Sequence, residues 1–469
     1  MILSKKYIHH FLIFLSAVFL FACKEHHRSF KPTTTVISGQ ITSAPELILS
    51  LQGVSTIKSA LDASGKFSLS SELTEAGIYR IILADQSFYI YIEPGARISV
   101  TGDYRTLPES LMYKGDHAKE NQYLVAYEKL KASIEPEDYG MFFTQSEAEF
   151  IKSVEYRTNR LYEDQQEYQK KNGTFDPLFE ELLSDEVAFD AAVVKMNYPD
   201  YYRYFAPDSV LKLSDTYDSF LQNLDLDNDE NLMVPAYRPF VGKFVEYKMA
   251  QDTSTQEATA TGRKFNLIDK VFQSVKTAAY LYHNVMQDAI ENSINEAAVW
   301  MPEYRKRQTD AEWLKMDEEL FAVRENLLKG KPAPTIRGLK LSGENISLAT
   351  LKGKVLYIDV WASWCGPCLH ELPYLEALQE KFKSNGNIAF ISVSVDEDKA
   401  AWRNMVKQKN MKGLQLLVPG GWNAEIIRDY SISGIPRFMI IGKDGNIINA
   451  TAPRPSSSEI VRELEEALR

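Results

Sequence analysis

The chain has 469 residues, 45% of them hydrophobic, which is too long for one core and suggests about three domains. A formal charge of −11 with no basic cluster argues against a nucleic-acid partner. Three cysteines and seven scattered histidines supply neither a disulfide framework nor the roughly four ligands of a structural zinc, so no metal is expected.

In chain order, the first residues read as a targeting segment. Lys5 and Lys6 open it, and Phe11 to Phe21 is apolar except for Ser16, too short to span a bilayer comfortably. Leu20-Phe21-Ala22-Cys23 resembles a bacterial lipobox, which implies that Cys23 becomes the lipid-bearing first residue. The expected division is a signal peptide over 1–22 and a polar tether over 23–35. An ordinary signal peptide cut nearby, or an uncleaved anchor, is the alternative. Losing Lys5 and Lys6 makes the mature chain more acidic still.

Residues 36–104 predict a small all-β domain. Tyr79 to Leu83 and Phe88 to Ile92 are aromatic and β-branched, and Asp62-Ala63-Ser64-Gly65 and Glu93-Pro94-Gly95 mark turns. From 105 to 329 the apolar period becomes helical: Tyr123, Tyr127, Leu130 and Ile134 form one set, Val271, Val275, Ala278, Tyr282 and Val285 another, and Trp313, Met316, Leu320, Val323 and Leu327 a third. Asp225-Leu226-Asp227-Asn228-Asp229 begins like a calcium loop. Glu230 stands where glycine must turn and Ala236 where a bidentate glutamate belongs, so a solvated acidic loop is expected.

The block 330–469 opens at Gly330-Lys331-Pro332-Ala333-Pro334. Lys354 to Val360 suits a buried strand, Ile388 to Val395 another, Lys399 to Lys409 a helix, and Arg437 to Ile441 with Asn446 to Ala450 a closing hairpin. Between the first strand and a helix lies Trp364-Cys365-Gly366-Pro367-Cys368. Unpaired N–H groups and the helix dipole at a helix start stabilise a thiolate, the species that attacks sulfur. If Cys23 carries lipid, Cys365 and Cys368 must pair with each other or with a partner's thiols. Cys-X-X-Cys alone is also half a metal site.

The neighbours of this pair carry a resemblance. Gly353-Lys354-Val355, the run from Asp359 to Cys368, Glu371-Leu372-Pro373 and Gly434-Ile435-Pro436 resemble the thioredoxin fold in its TlpA/ResA-like branch of envelope thiol–disulfide oxidoreductases. The expected fold class is therefore multidomain α+β: an all-β N-terminal domain, a central helical domain and a C-terminal α/β thioredoxin fold. The resemblance implies that Cys365 is the attacking thiolate, Cys368 the buried resolver, and Cys365–Cys368 a redox disulfide. It places Asp359 where thioredoxins have a buried aspartate, and Glu371 where ResA-like proteins have an active-site glutamate. Either acid can relay the proton that Cys368 must lose. Pro436 resembles the family's cis-proline. Trp364, Gly366, Pro367 and Ile435 are expected to meet the substrate, Trp361 to lie in the core, and His370 to point away from Cys365.

The 36–104 segment resembles the small β-domain of unassigned function that often precedes such envelope domains. The implied protein is a lipid-anchored enzyme on the periplasmic side of a membrane, without a cofactor. It reduces disulfides in client proteins and is recharged by a membrane electron-donor thiol protein, the Gly-Pro between its cysteines being typical of reductants. Two other readings stay open: a peroxiredoxin-related thiol peroxidase, although Ala362 stands where that chemistry needs threonine, and a binding module with a vestigial redox domain.

Overall fold

A computed structural model describes residues 31–45, 48–52, 56–251 and 259–469. The signal segment and Cys23 lie outside the described residues. Alternating apolar residues produce eight N-terminal strands: β1 (Thr33–Thr42), β2 (Ile48–Gln52), β3 (Thr56–Ala60), β4 (Lys66–Leu73), β5 (Gly77–Leu83), β6 (Gln86–Ile92), β7 (Arg97–Asp103) and β8 (Met112–Gly115). They form two four-stranded sheets, ordered β4-β1-β7-β8 and β3-β2-β5-β6. The turn between β3 and β4 is built by Asp62, whose carboxylate accepts from the Ser64 and Lys66 N–H groups at 2.8 and 2.9 Å. Gly65 completes it at φ +79°, where a Cβ would stand 2.0 Å from the Ile41 carbonyl oxygen.

Strands thus continue past residue 104, and the helix Ala118–Ser133 belongs with them. Its Asn121 works as a surrogate strand for edge strand β6. The side-chain oxygen accepts from the Tyr91 N–H at 2.7 Å and the amide donates to the Tyr91 carbonyl at 3.0 Å. The chain divides into two compact units, one reaching Ala132 with Tyr168–Phe179 added, the other Ser133–Glu167 with Glu180–Arg469.

The central stretch is otherwise helical, with helices that include Glu147–Asn172, Pro177–Phe205, Tyr237–Gln251, Ala260–Val271, Val275–Asn292, Ile294–Arg307 and Ala311–Arg324. The periodic set from Val271 to Val285 crosses a break. Asp227 accepts from the N–H groups of Gln273 and Ser274, both at 2.8 Å, and Asp229 from Thr277 at 2.8 Å, so a new helix starts there. The acidic run expected to be a solvated loop is instead a helix cap. Met316 and Val323 in the third set are exposed rather than core.

The C-terminal block holds a seven-stranded sheet. Its strands are β9 (Arg337–Lys340), β10 (Asn345–Ser347), β11 (Val355–Trp361), β12 (Ile388–Ser394), β13 (Leu414–Leu417), β14 (Arg437–Ile441) and β15 (Ile447–Asn449), in the order β10-β9-β13-β12-β11-β14-β15. Strand β11 runs parallel to β12 and antiparallel to β14 and is buried along its whole length. Its residues alternate between two cores. Leu356, Ile358 and Val360 share one with Trp402 of the helix Lys399–Gln408. Val355 and Tyr357 share the other with Leu375, Leu378 and Phe382 of the helix Gly366–Phe382 and Leu464 of the helix Ile460–Leu468. The two-residue period puts Asp359 on the face of Tyr357, under the helix that carries both cysteines. The fold is α+β overall, with strands first, helices in the middle and a thioredoxin-like sheet last.

Candidate active site

Strand β11 ends at Trp361, which is fully buried, and after four intervening residues the chain enters the helix Gly366–Phe382. Cys365 is the N-cap: its Sγ accepts from the Cys368 N–H at 3.2 Å, and Pro367 sits in the first turn, where a missing N–H costs nothing. Cys365 and Cys368 are joined by a disulfide with Cα atoms 5.3 Å apart. Both are buried, whereas Gly366 and Pro367 between them are exposed.

Trp364 stands 59% exposed beside this pair, its ring 6.3 Å from that of Trp422. Ile435 packs on the apolar cluster that contains both cysteines, and the Ile435–Pro436 peptide is cis. His370 lies on the exposed side of the helix, its ring near Tyr374.

The entry loop is held by a carboxylate that sequence reasoning did not single out. Buried Asp396 accepts from the Ser363 N–H at 3.1 and 3.0 Å, the Ser363 hydroxyl at 2.6 Å and the Ser394 hydroxyl at 2.6 Å. The available signal was a lone acid closing the apolar run from Ile388 to Val395. Trp422 and Ser456, also missed, carry no local signal.

Both predicted acids are buried. Burial pushes the Asp359 carboxyl up to about 7; the Ser392 hydroxyl, opposite it on β12, pulls it down, and the Glu371 charge pushes it further up. Glu371 does not stand on an open helix surface. Its carboxylate accepts from the Ser456 N–H at 3.0 Å and from the Ser456 hydroxyl at 2.8 Å. Two buried carboxyls, Asp359 on β11 and Glu371 on the helix that bears the cysteines, are therefore within electrostatic reach of one another. Among the described residues, no group of three His, Cys, Asp or Glu side chains could hold a metal ion, and no helix is long and apolar enough to cross a membrane.

The model of the Redoxin family matches residues 328–468. Thiol-disulfide oxidoreductase ResA of a Bacillus cereus strain is 36% identical over 128 residues, which are 27% of this chain and 72% of that protein. The chain belongs to the ResA-like thiol-disulfide oxidoreductases. ResA of Bacillus subtilis is 29% identical over 30% of this chain and 76% of its own length. A solved structure of a thiol-disulfide oxidoreductase from Bacteroides fragilis is 27% identical, covering 29% of this chain and 98% of that one, with a TM-score of 0.27. A ResA-like oxidoreductase exchanges a dithiol for a disulfide in a second molecule. Apart from Cys23, this one has a single pair of sulfurs with which to do so.

Proposed function

We propose that this enzyme reduces disulfides in client proteins of the cell envelope, with Cys365 as nucleophile and Cys368 as resolver. In the dithiol form, the Cys365 thiolate attacks a client disulfide, forming a mixed disulfide and releasing one client thiolate, which takes a proton. Cys368 then loses its proton, attacks Cys365 Sγ and frees the second client sulfur. Two electrons pass to the client, and the Cys365–Cys368 disulfide remains for a membrane thiol donor to reduce. Asp359 or Glu371 accepts the Cys368 proton. Trp364, Gly366, Pro367 and Ile435 form the face that meets the client, alongside the open backbone edge at Pro436.

The observation that carries this reading is the Cys365 sulfur at a helix N-cap, bonded to Cys368 and receiving its N–H at 3.2 Å. Backbone donors and the dipole favour a thiolate at that place. Cys23, as a lipidated N-terminus, would hold the enzyme at the membrane on the periplasmic side. Insulin-disulfide reduction tests the chemistry: Cys365→Ser is expected to lose at least about a hundredfold of the rate, since the nucleophile itself is removed. Equal rates for variant and wild type would favour a binding module.

A further inference from the structure

A cavity of about 180 Å³ lies between the cysteine-bearing helix and the segment after the helix Lys399–Gln408. Its rim includes exposed Glu376, Lys409, Asn410 and Lys412, its apolar wall Leu372 and Met411, and among its deepest lining residues is Ser392, 1% exposed. Ser392 lies directly opposite Asp359 in the β11–β12 pairing, on the same face of the sheet, and its hydroxyl favours the charged form of the Asp359 carboxyl. One residue is therefore both the strand neighbour of a buried acid and part of the lining of a space that is continuous with solvent.

We propose that this cavity is the route by which Asp359 exchanges protons with water, and that Ser392 is the relay residue in it. The inference rests on the reading of Asp359 as an acceptor of the Cys368 proton. When Asp359 takes that proton it is otherwise shut in: helix Gly366–Phe382 covers its face and β12 and β14 flank it. Release proceeds as Ser392 Oγ accepts the carboxyl proton and passes its own to water in the cavity, so one proton leaves, no bond to carbon or sulfur changes and no electron moves. A cavity of this size holds several waters, and its polar rim supplies their partners. The titratable groups facing Asp359 are Glu371 from the helix and Tyr357 on its own strand; β12 and β14 present Ser392 and Phe438 opposite it. At the cavity mouth stand Glu376, Lys409 and Lys412.

The test is single-turnover reduction of insulin by the reduced protein from about pH 5.5 to 9, bracketing neutrality. Ser392→Ala is expected to be about tenfold slower near pH 7 with a flattened pH profile, and Ser392→Thr, which keeps the hydroxyl, to restore both. Leu372→Trp, which fills the outer cavity without touching Ser392, is expected to slow the same step at an unchanged thermal midpoint. If Asp359→Asn is slow but Ser392→Ala and Leu372→Trp stay within about twofold of wild type, the route is wrong while the role of Asp359 stands. A slow Ser392→Ala beside an unimpaired Leu372→Trp removes the cavity from the path. Should Asp359→Asn keep the wild-type rate and profile, the underlying reading falls and the relay with it. If Ser392→Ala fails to fold, the Leu372→Trp arm alone decides.

Discussion

At Asp359, burial and chemistry act against each other. Its carboxyl is pushed up to about 7, against about 3.9 in an unfolded chain. Between these values the folded protein holds a proton that the unfolded chain has released. The contribution of Asp359 to stability is therefore greatest below about pH 4, falls as pH rises toward 7, and is flat above. Asp359→Asn removes this loss. Relative to wild type the variant is expected to gain a few kcal/mol at pH 8 and almost nothing near pH 4, at about 1.36 kcal/mol per pH unit between the two values. Urea unfolding of both proteins at both pH values measures it, and a variant-minus-wild-type difference that is the same at pH 4 and pH 8 would refute the burial argument. Glu371→Gln is expected to keep the fold, because an amide oxygen can still accept from the Ser456 N–H. It is expected to slow insulin reduction by about tenfold near neutral pH. An unchanged pH–rate profile would remove Glu371 from the proton path. Both acids could be picked out in the sequence, Asp359 as a charge set into an apolar run and Glu371 by its place three residues after Cys368, where ResA-like proteins have an active-site glutamate. Ser456 could not, because 85 residues separate it from Glu371.

At the scale of elements, side chains finish what the backbone ladder leaves open. Edge strand β6 is satisfied at Tyr91 by Asn121, at 2.7 and 3.0 Å in a buried setting. Asn121→Leu leaves an N–H and a carbonyl without partners, at a cost of about 1–3 kcal/mol each. The expected result is an earlier urea midpoint for the N-terminal unit with insulin reduction unchanged; full stability would mean that another donor replaces the amide. Of the strands legible in the sequence, β11, β12 and β14 are buried apolar runs that stand out, and the short β15 is marked by the Lys443-Asp444-Gly445 turn before it. Those passed over, β9, β10 and β13, are three or four residues long, so their pairing with neighbours rather than their own pattern defines them. Helix starts went astray for a related reason. Asp227 and Asp229 look like a solvated run until Gln273, Ser274 and Thr277, nearly fifty residues on, bring their N–H groups to them.

For the whole molecule, the helical stretch and the redox block share one compact unit. The carbonyl at Glu291, near the end of helix Val275–Asn292, accepts from Arg324 at 3.3 Å and from Arg437, the residue after Pro436, at 3.4 Å. Burial lowers both guanidinium pKa values from their ordinary range, and their mutual repulsion adds to this for Arg437. The C-terminal dipole of the helix partly compensates both charges. The proposed lipid anchor predicts a mature N-terminus that begins at a lipid-bearing Cys23, and intact mass of the membrane-extracted protein checks this; a free Cys23 thiol would refute it.

The sequence alone determined the redox pair, the helix that begins there, the central strands and the change from strand to helical period. All of these are carried by patterns spanning a few to some twenty residues. Tertiary structure decided which partners surround that pair: Asp396 on Ser363, Ser456 on Glu371, Ser392 on Asp359 and the cavity behind it. Such contacts join residues 33 to 85 positions apart. They exist only once strands have paired and the helix has covered its face, because no local periodicity encodes which distant hydroxyl will meet a buried carboxylate.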